Sequence, residues 1–142
     1  MQDLADRAAR AASTLRQAGA VSGTVMNTVN RSTGVSGGMA RDAADVAAVI
    51  NFARATDLPL AVRSGGHSVC GLSVNSGGLV LDLRDLNRLE IDAASRTAWA
   101  GSGLTAGEVL RAVEAHGLAI GFGDSATVGI GGLTLGGGIG YL

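Results

Sequence analysis

The chain has 142 residues, 46% of them hydrophobic, a net charge of −1, and 23 glycines where composition alone predicts a share of ~7%. That is one ordinary domain with enough apolar material for a core. Only 3% of the residues are aromatic (Phe52, Trp99, Phe122 and Tyr141), which together with the lack of positive charge argues against a nucleic-acid surface built on base stacking.

Cys70 is the only cysteine, so no intrachain disulfide can form, and one cysteine with two histidines is too few for a zinc cluster. No apolar run reaches 18 residues, so no membrane span is expected. The first residues carry Asp3 and Asp6 where a leader would carry only bases. The expectation is a soluble, cytoplasmic protein.

In chain order, Leu4, Ala8, Ala11, Leu15 and Ala18 make a weak apolar stripe on a helix over residues 3–18. Residues 19–38 alternate glycine and small polar residues with isolated valines, and read as an irregular link or poor edge strands. The organisation expected is an N-terminal helix and link over 1–38, then one domain over 39–142. A helix is predicted over 42–56, capped by Asp42, with Val46, Val49, Ile50 and Ala53 on its apolar face and Asp57-Leu58-Pro59 as its stop.

Leu60-Ala61-Val62 then reads as a short buried strand leading into a loop at its carboxyl end, a βαβ-like arrangement. Residues 79–83, 89–92 and 96–100 are predicted strands of the same small sheet. A second helix over 105–116 opens with a Thr105/Glu108 capping box, buries Val109, Leu110 and Val113, and stops at Gly117. Its last residue, His116, suits the negative end of the helix dipole. Beyond Phe122 the chain reads as loop and glycine. The fold class is α+β: a small mixed sheet with flanking helices and glycine-rich loops.

Two segments stand out. Arg63-Ser64-Gly65-Gly66-His67-Ser68 sets one imidazole in bare backbone, and the ladder from Gly129 to Gly140 has seven glycines in twelve residues besides Ile130, Leu133, Thr134, Leu135 and Ile139. Removing side chains lets backbone N–H groups approach a ligand, and such donors suit phosphate. A third stretch, Gly101-Ser102-Gly103-Leu104-Thr105-Ala106, matches a dinucleotide fingerprint but lacks the following strand that ends in an acid. Its glycines are read as serving a tight turn from strand to helix.

Arg63–Ser68, the Gly77–Leu83 strand and Thr127–Gly140 together resemble the FAD-binding (PCMH-type) domain of the oxygen-dependent FAD-linked oxidoreductases. That is the group of vanillyl-alcohol oxidase, berberine bridge enzyme and 6-hydroxy-D-nicotine oxidase. The likeness covers residues 40–142. It implies that the chain is the N-terminal lobe of that domain, with cofactor contacts from Arg63, Ser64, Gly65, Gly66, His67, Ser68 and Gly71. From the second segment it implies contacts from Thr127, Val128, Gly129, Gly131, Gly132, Gly137, Gly138 and Gly140. His67 would be joined covalently to the flavin 8α carbon, which asks for a neutral imidazole nitrogen. The alternative is a histidine that only hydrogen-bonds a noncovalent cofactor.

Bicovalent relatives carry a cysteine in a Cys-Pro-Thr-Val-Gly stretch, where this chain has Ser125-Ala126-Thr127-Val128-Gly129, so the resemblance implies a single bond. Cys70 is read as a small buried apolar residue. Leu142 falls in mid-domain by the family pattern. The chain is therefore expected to be either part of a longer polypeptide, whose remainder supplies adenine contacts and a substrate domain, or a truncated reading frame. The implied function is hydride transfer from a small organic substrate to flavin and of electrons to dioxygen, and no residue present qualifies as the substrate's base. A binding module for FAD or another nucleotide, without turnover, is the alternative, and a structural protein whose glycines only make turns is the third reading.

Overall fold

The computed structural model describes Asp6, residues 28–30 and residues 35–140. The helix expected over 3–18, Asp6 apart, lies outside the described residues, as does Tyr141. The elements are β1 (Thr28–Asn30), β2 (Val35–Met39), α1 (Ala43–Thr56), β3 (Leu60–Arg63), β4 (Leu79–Asp82), β5 (Leu89–Asp92), β6 (Thr97–Ala100), α2 (Ala106–Glu114) and α3 (Ile130–Gly136).

The strands form two sheets rather than the single one expected. One has the order β1-β2-β4-β3, and the other is the β5-β6 hairpin. In the first, β1 runs antiparallel to β2, while β2 and β3 both run parallel to β4. Residues 35–39 are thus an interior strand, not a link, and the edges of the sheet are Thr28–Asn30 and Leu60–Arg63. The hairpin is separate because Leu83–Arg88 carries the chain away from β4. Its turn is shaped by Asp92, whose carboxylate accepts the amides of Ala94 and Ser95 at 3.0 and 3.2 Å, with Arg96 at φ 55°.

α1 begins where expected. Asp42 accepts the Asp45 amide at 2.9 Å, a cap that typically contributes ~1 kcal/mol. It ends at Asp57, which adopts left-handed backbone ahead of Pro59, while the Leu58 amide returns to the Ala53 carbonyl at 3.1 Å. Its apolar face covers alternate residues of β4: Val49 packs in one cluster with Leu81 and Ala40, and Phe52, Ala53 and Leu58 in another with Leu79. Burial of each large side chain of this kind is worth about 1.5–3 kcal/mol. All four residues of β4 are buried, as befits a strand paired on both edges, whereas in β3 only Ala61 is buried and Val62 is half exposed.

A third cluster joins Leu104, Ala106, Val109, Val113 and Ile130, backed by Leu89, Ile91, Leu118 and Phe122. It ties α2, the hairpin and α3 together. The Thr105/Glu108 capping box is present, and Leu110 is partly rather than fully buried. Gly117, at φ 67°, closes α2 in a Schellman motif: the Leu118 amide reaches the Val113 carbonyl and the Gly117 amide reaches that of Glu114. The start of the glycine ladder, read as loop, is helical. Ile130 anchors it, with its side chain in the third cluster and its amide on the Leu104 carbonyl at 2.9 Å.

Candidate functional site

The parallel strands end level with one another, because Asp82 is in register with both Met39 and Arg63. In open sheets with parallel strands this carboxyl edge is where ligands bind. The loop Ser64–Gly78 leaves β3 there and returns to β4. Its base is closed by Asn75, whose amide group donates to the Leu79 carbonyl at 2.7 Å and the Pro59 carbonyl at 3.3 Å. The Asn75 Oδ1 is buried without a partner among the described residues.

Arg63 and Arg84 converge on Asp82. Nε and Nη2 of Arg63 lie 3.1 and 2.7 Å from the Asp82 Oδ2, those of Arg84 lie 3.0 and 2.7 Å from the same oxygen, and the Arg84 amide occupies Oδ1 at 3.0 Å. Burial pushes the Asp82 carboxyl up, but the hydrogen bonds from Arg84 and Arg63 outweigh it and hold the group below the ordinary aspartate value. Asp82 raises Arg84 in turn. The guanidinium of Arg63 is therefore committed to a neighbouring strand, and its stem underlies Gly66, at 3.5 Å from where a Cβ would stand.

The two glycine segments meet. A Cβ on Gly65 would collide with the Gly129 amide, and one on Gly129 would collide with the Gly65 amide and the Ser64 hydroxyl. The hydroxyl of Ser64 donates to the Ser102 carbonyl at 2.6 Å, beside Gly131. The strand-to-helix turn is tight for the same reason as the fingerprint glycines suggested: Gly101 and Gly103 lie against the Leu86 and Leu83 carbonyls with no room for a side chain.

An open cleft of about 530 Å³ lies at this junction, lined by Arg63–Gly66, Ser73, Arg84, Thr105, Glu108 and Thr127 among others. Glu108 is held below the ordinary glutamate value by the Thr105 amide and hydroxyl. Gly65, Gly66 and His67 are exposed, and among the described residues their amides donate to nothing. His67, Ser68 and Gly71 continue the loop outside the cleft lining; the Ser68 Oγ accepts the Leu72 amide at 3.2 Å. Cys70 is exposed, not buried as expected. Val69 is fully exposed, and Leu72 largely so.

In the second segment, Val128 is half-buried and accepts the Ala106 amide through its carbonyl at 2.9 Å. Gly137, Gly138 and Gly140 follow α3 on the exposed side, where Gly138 packs on Leu133 and the Phe122 carbonyl. Gly132 and Gly136 have neither a crowding neighbour nor positive φ, although glycine inside a helix costs about 1 kcal/mol relative to alanine. Their bare faces open onto unfilled space. Both are exposed and lie outside the cleft lining, and a flat ligand can pack directly on such bare backbone, so the residues present fit a nucleotide cofactor. Asp82 is a site residue that sequence reasoning missed; its one signal is an acid within an otherwise apolar strand. Among the described residues, no group of histidine, cysteine and acidic side chains could hold a metal ion, and no helix is long and apolar enough to cross a membrane.

Comparison with known proteins agrees with this geometry. The family model of the FAD binding domain matches residues 38–142. The chain is 42% identical over 104 residues to the FAD-linked oxidoreductase YvdP of Bacillus subtilis, and 42% identical over 100 residues to (R)-6-hydroxynicotine oxidase of Paenarthrobacter nicotinovorans. These alignments cover 72% and 70% of this chain but 23% and 22% of the relatives, so the chain spans less than a quarter of their length. Among solved structures, 6-hydroxy-D-nicotine oxidase from Arthrobacter nicotinovorans superposes with a TM-score of 0.62 at 40% identity, covering 64% of this chain and 20% of that one. A berberine bridge enzyme variant in complex with (S)-reticuline gives 0.70 at 35% identity, covering 75% and 22%. With the family model matched over nearly three-quarters of its length, the chain belongs to the FAD binding domain family.

Proposed function

We propose that this chain is the cofactor-holding part of an FAD-linked oxidase in which the loop after β3 takes the pyrophosphate and His67 takes the flavin. The observation that carries this reading is the convergence of the two glycine segments at the sheet's carboxyl edge, with the Gly65, Gly66 and His67 amides unpartnered among the described residues. Three N–H groups on one turn make an anion site with no charged side chain, which suits a chain whose nearby arginines are spent on Asp82. The second segment would contribute Thr127, Val128 and the glycines from Gly129 to Gly140, with the bare faces of Gly132 and Gly136 allowing close packing. Gly71 would let the first loop turn over the cofactor.

When bound, FAD would supply the redox chemistry for hydride transfer from a small organic substrate and for electron transfer to dioxygen. The chain's own share is binding, orientation and one attachment point. His67 offers an imidazole nitrogen for a single bond to the flavin, while Ser125 stands where a second, cysteinyl bond would need a thiol. The names of two relatives carry different small molecules, hydroxynicotine and reticuline, which supports a substrate specified outside the shared segment. A cytoplasmic location accords with the single cysteine.

The test is retention of flavin after denaturation of the full-length protein. Wild type should keep a fluorescent band on a denaturing gel, and His67→Ala should lose it. A yellow wild type that releases its flavin leaves the binding site standing and removes the bond. A colourless protein that takes up no FAD removes the proposal, and the structural reading of the glycines then stands.

A further inference from the structure

Ser64 sits between the two arms of the site, and its chemistry separates it from its neighbours. A serine hydroxyl has one proton, and here that proton is given to the Ser102 carbonyl at 2.6 Å. It has none left for a phosphate oxygen, which is itself an acceptor. The same Oγ fills the space that a Cβ at Gly129 would take, and lies 3.2 Å from where a Cβ at Gly131 would stand. A Cβ at Gly131 would also come within 2.8 Å of the Ser102 carbonyl. Three segments therefore meet at one half-buried hydroxyl: the loop after β3, the turn into α2 and the first turn of α3. The next three residues of the loop carry the unpartnered amides.

We infer that Ser64 is a positioning residue: its hydroxyl pins the loop after β3 to the Ser102 carbonyl, in the space left by Gly129 and Gly131, and so aims the Gly65–His67 amides at the cofactor's pyrophosphate. The inference rests on the proposed cofactor reading and deepens it. It makes Ser64 an indirect contributor, with the anion held by backbone alone.

The test uses the full-length protein with His67→Ala as the parent, so that binding is reversible. FAD is titrated in parallel with riboflavin, which lacks the pyrophosphate. Ser64→Ala should weaken FAD by about tenfold, the worth of losing one well-made hydrogen bond, and leave riboflavin unchanged. Gly131→Ala should weaken FAD as well, because its Cβ would press on both partners of the bond, and the loss in the double variant should fall short of the two single losses added, since both act on one hydrogen bond. A Ser64 that touched the cofactor directly would give additive losses instead, which overturns the inference. So does a Ser64→Ala that weakens FAD and riboflavin alike, since that is the mark of a general structural loss. Unchanged FAD binding in Ser64→Ala overturns it too, with the pyrophosphate reading intact. A parent that binds FAD no better than riboflavin overturns the pyrophosphate reading and the inference with it. Should Ser64→Ala fail to fold, Gly131→Ala decides by the same FAD-against-riboflavin comparison.

Discussion

Gly65 and Gly129 lie backbone against backbone, each amide standing where the other's Cβ would be. This contact brings two loops that are sixty-odd residues apart into one site, and it is available to no other residue pair. Since the obstacle is main chain rather than the tip of a flexible side chain, neither partner can yield cheaply.

Gly129→Ala should therefore be destabilising by about 1–3 kcal/mol, the range for forcing a methyl into packed structure. Urea unfolding of the variant measures it. FAD uptake should fall together with stability, since the Ser64 hydroxyl occupies the same space. A variant as stable as wild type would mean that the two loops are free to part.

Gly132→Ala should behave in the opposite way. Nothing lies within 4 Å of its missing Cβ, and alanine is favoured over glycine in a helix by about 1 kcal/mol. The cofactor-free protein should become more stable, up to that amount, while FAD binding weakens because the methyl stands on the bare face proposed to pack against the cofactor. Calorimetry without FAD and a titration with it give the two signs. If FAD binding is unaffected, the open face of α3 is not where the cofactor packs.

Much of the fold was legible because local signals and tertiary structure agree. Asp42, the Thr105/Glu108 box and Gly117 are caps whose mechanism is contained within a few residues, and each is present as read. α3 was illegible for the opposite reason. Glycine at 131, 132 and 136 opposes a helix, and only the burial of Ile130 and its bond to the Leu104 carbonyl, both long-range, favour one. Residues 35–39 were missed as an interior strand because pairing with β4 supplies what Gly37 and Gly38 lack in strand propensity. In the site, the motif residues were visible but their division of labour was not: that Arg63 serves Asp82 and Ser64 serves Ser102 depends on partners 19 and 38 positions away.

The 142-residue chain expressed by itself should bind FAD more weakly than micromolar. Val69 is fully exposed, and Leu135 and Ile139 are 93% and 92% exposed, so both glycine segments present uncovered apolar side chains on open backbone. Fixing each loop residue costs roughly 1–2 kcal/mol, against about 1.5–3 kcal/mol for each hydrogen bond to a charged phosphate. The ordering of the loops consumes most of the gain. Fluorescence titration with FAD measures it directly, and submicromolar binding would show that the loops are already ordered without further cover.

The last prediction concerns acid. Asp82 has its carboxyl held below the ordinary value of 3.8, so the folded state binds its proton less readily than the unfolded chain does. The stabilisation is fully present above that ordinary value and is lost as the pH falls through it toward the depressed one. Breaking a buried pair can cost 3–5 kcal/mol, but the Arg63 and Arg84 side chains are 36% and 58% exposed, so solvent screens much of the interaction. Asp82→Asn should thus lower stability by about 1–2 kcal/mol at pH 6. Asp92 and Glu108 are also depressed, but they are common to both proteins and cancel in the difference. The gap between wild type and Asp82→Asn should therefore be constant near neutrality and narrow below about pH 4. Urea unfolding of both proteins at pH 6 and at pH 3 is the measurement. A gap of equal size at the two values would mean that Asp82 contributes through its shape and hydrogen-bond count rather than its charge.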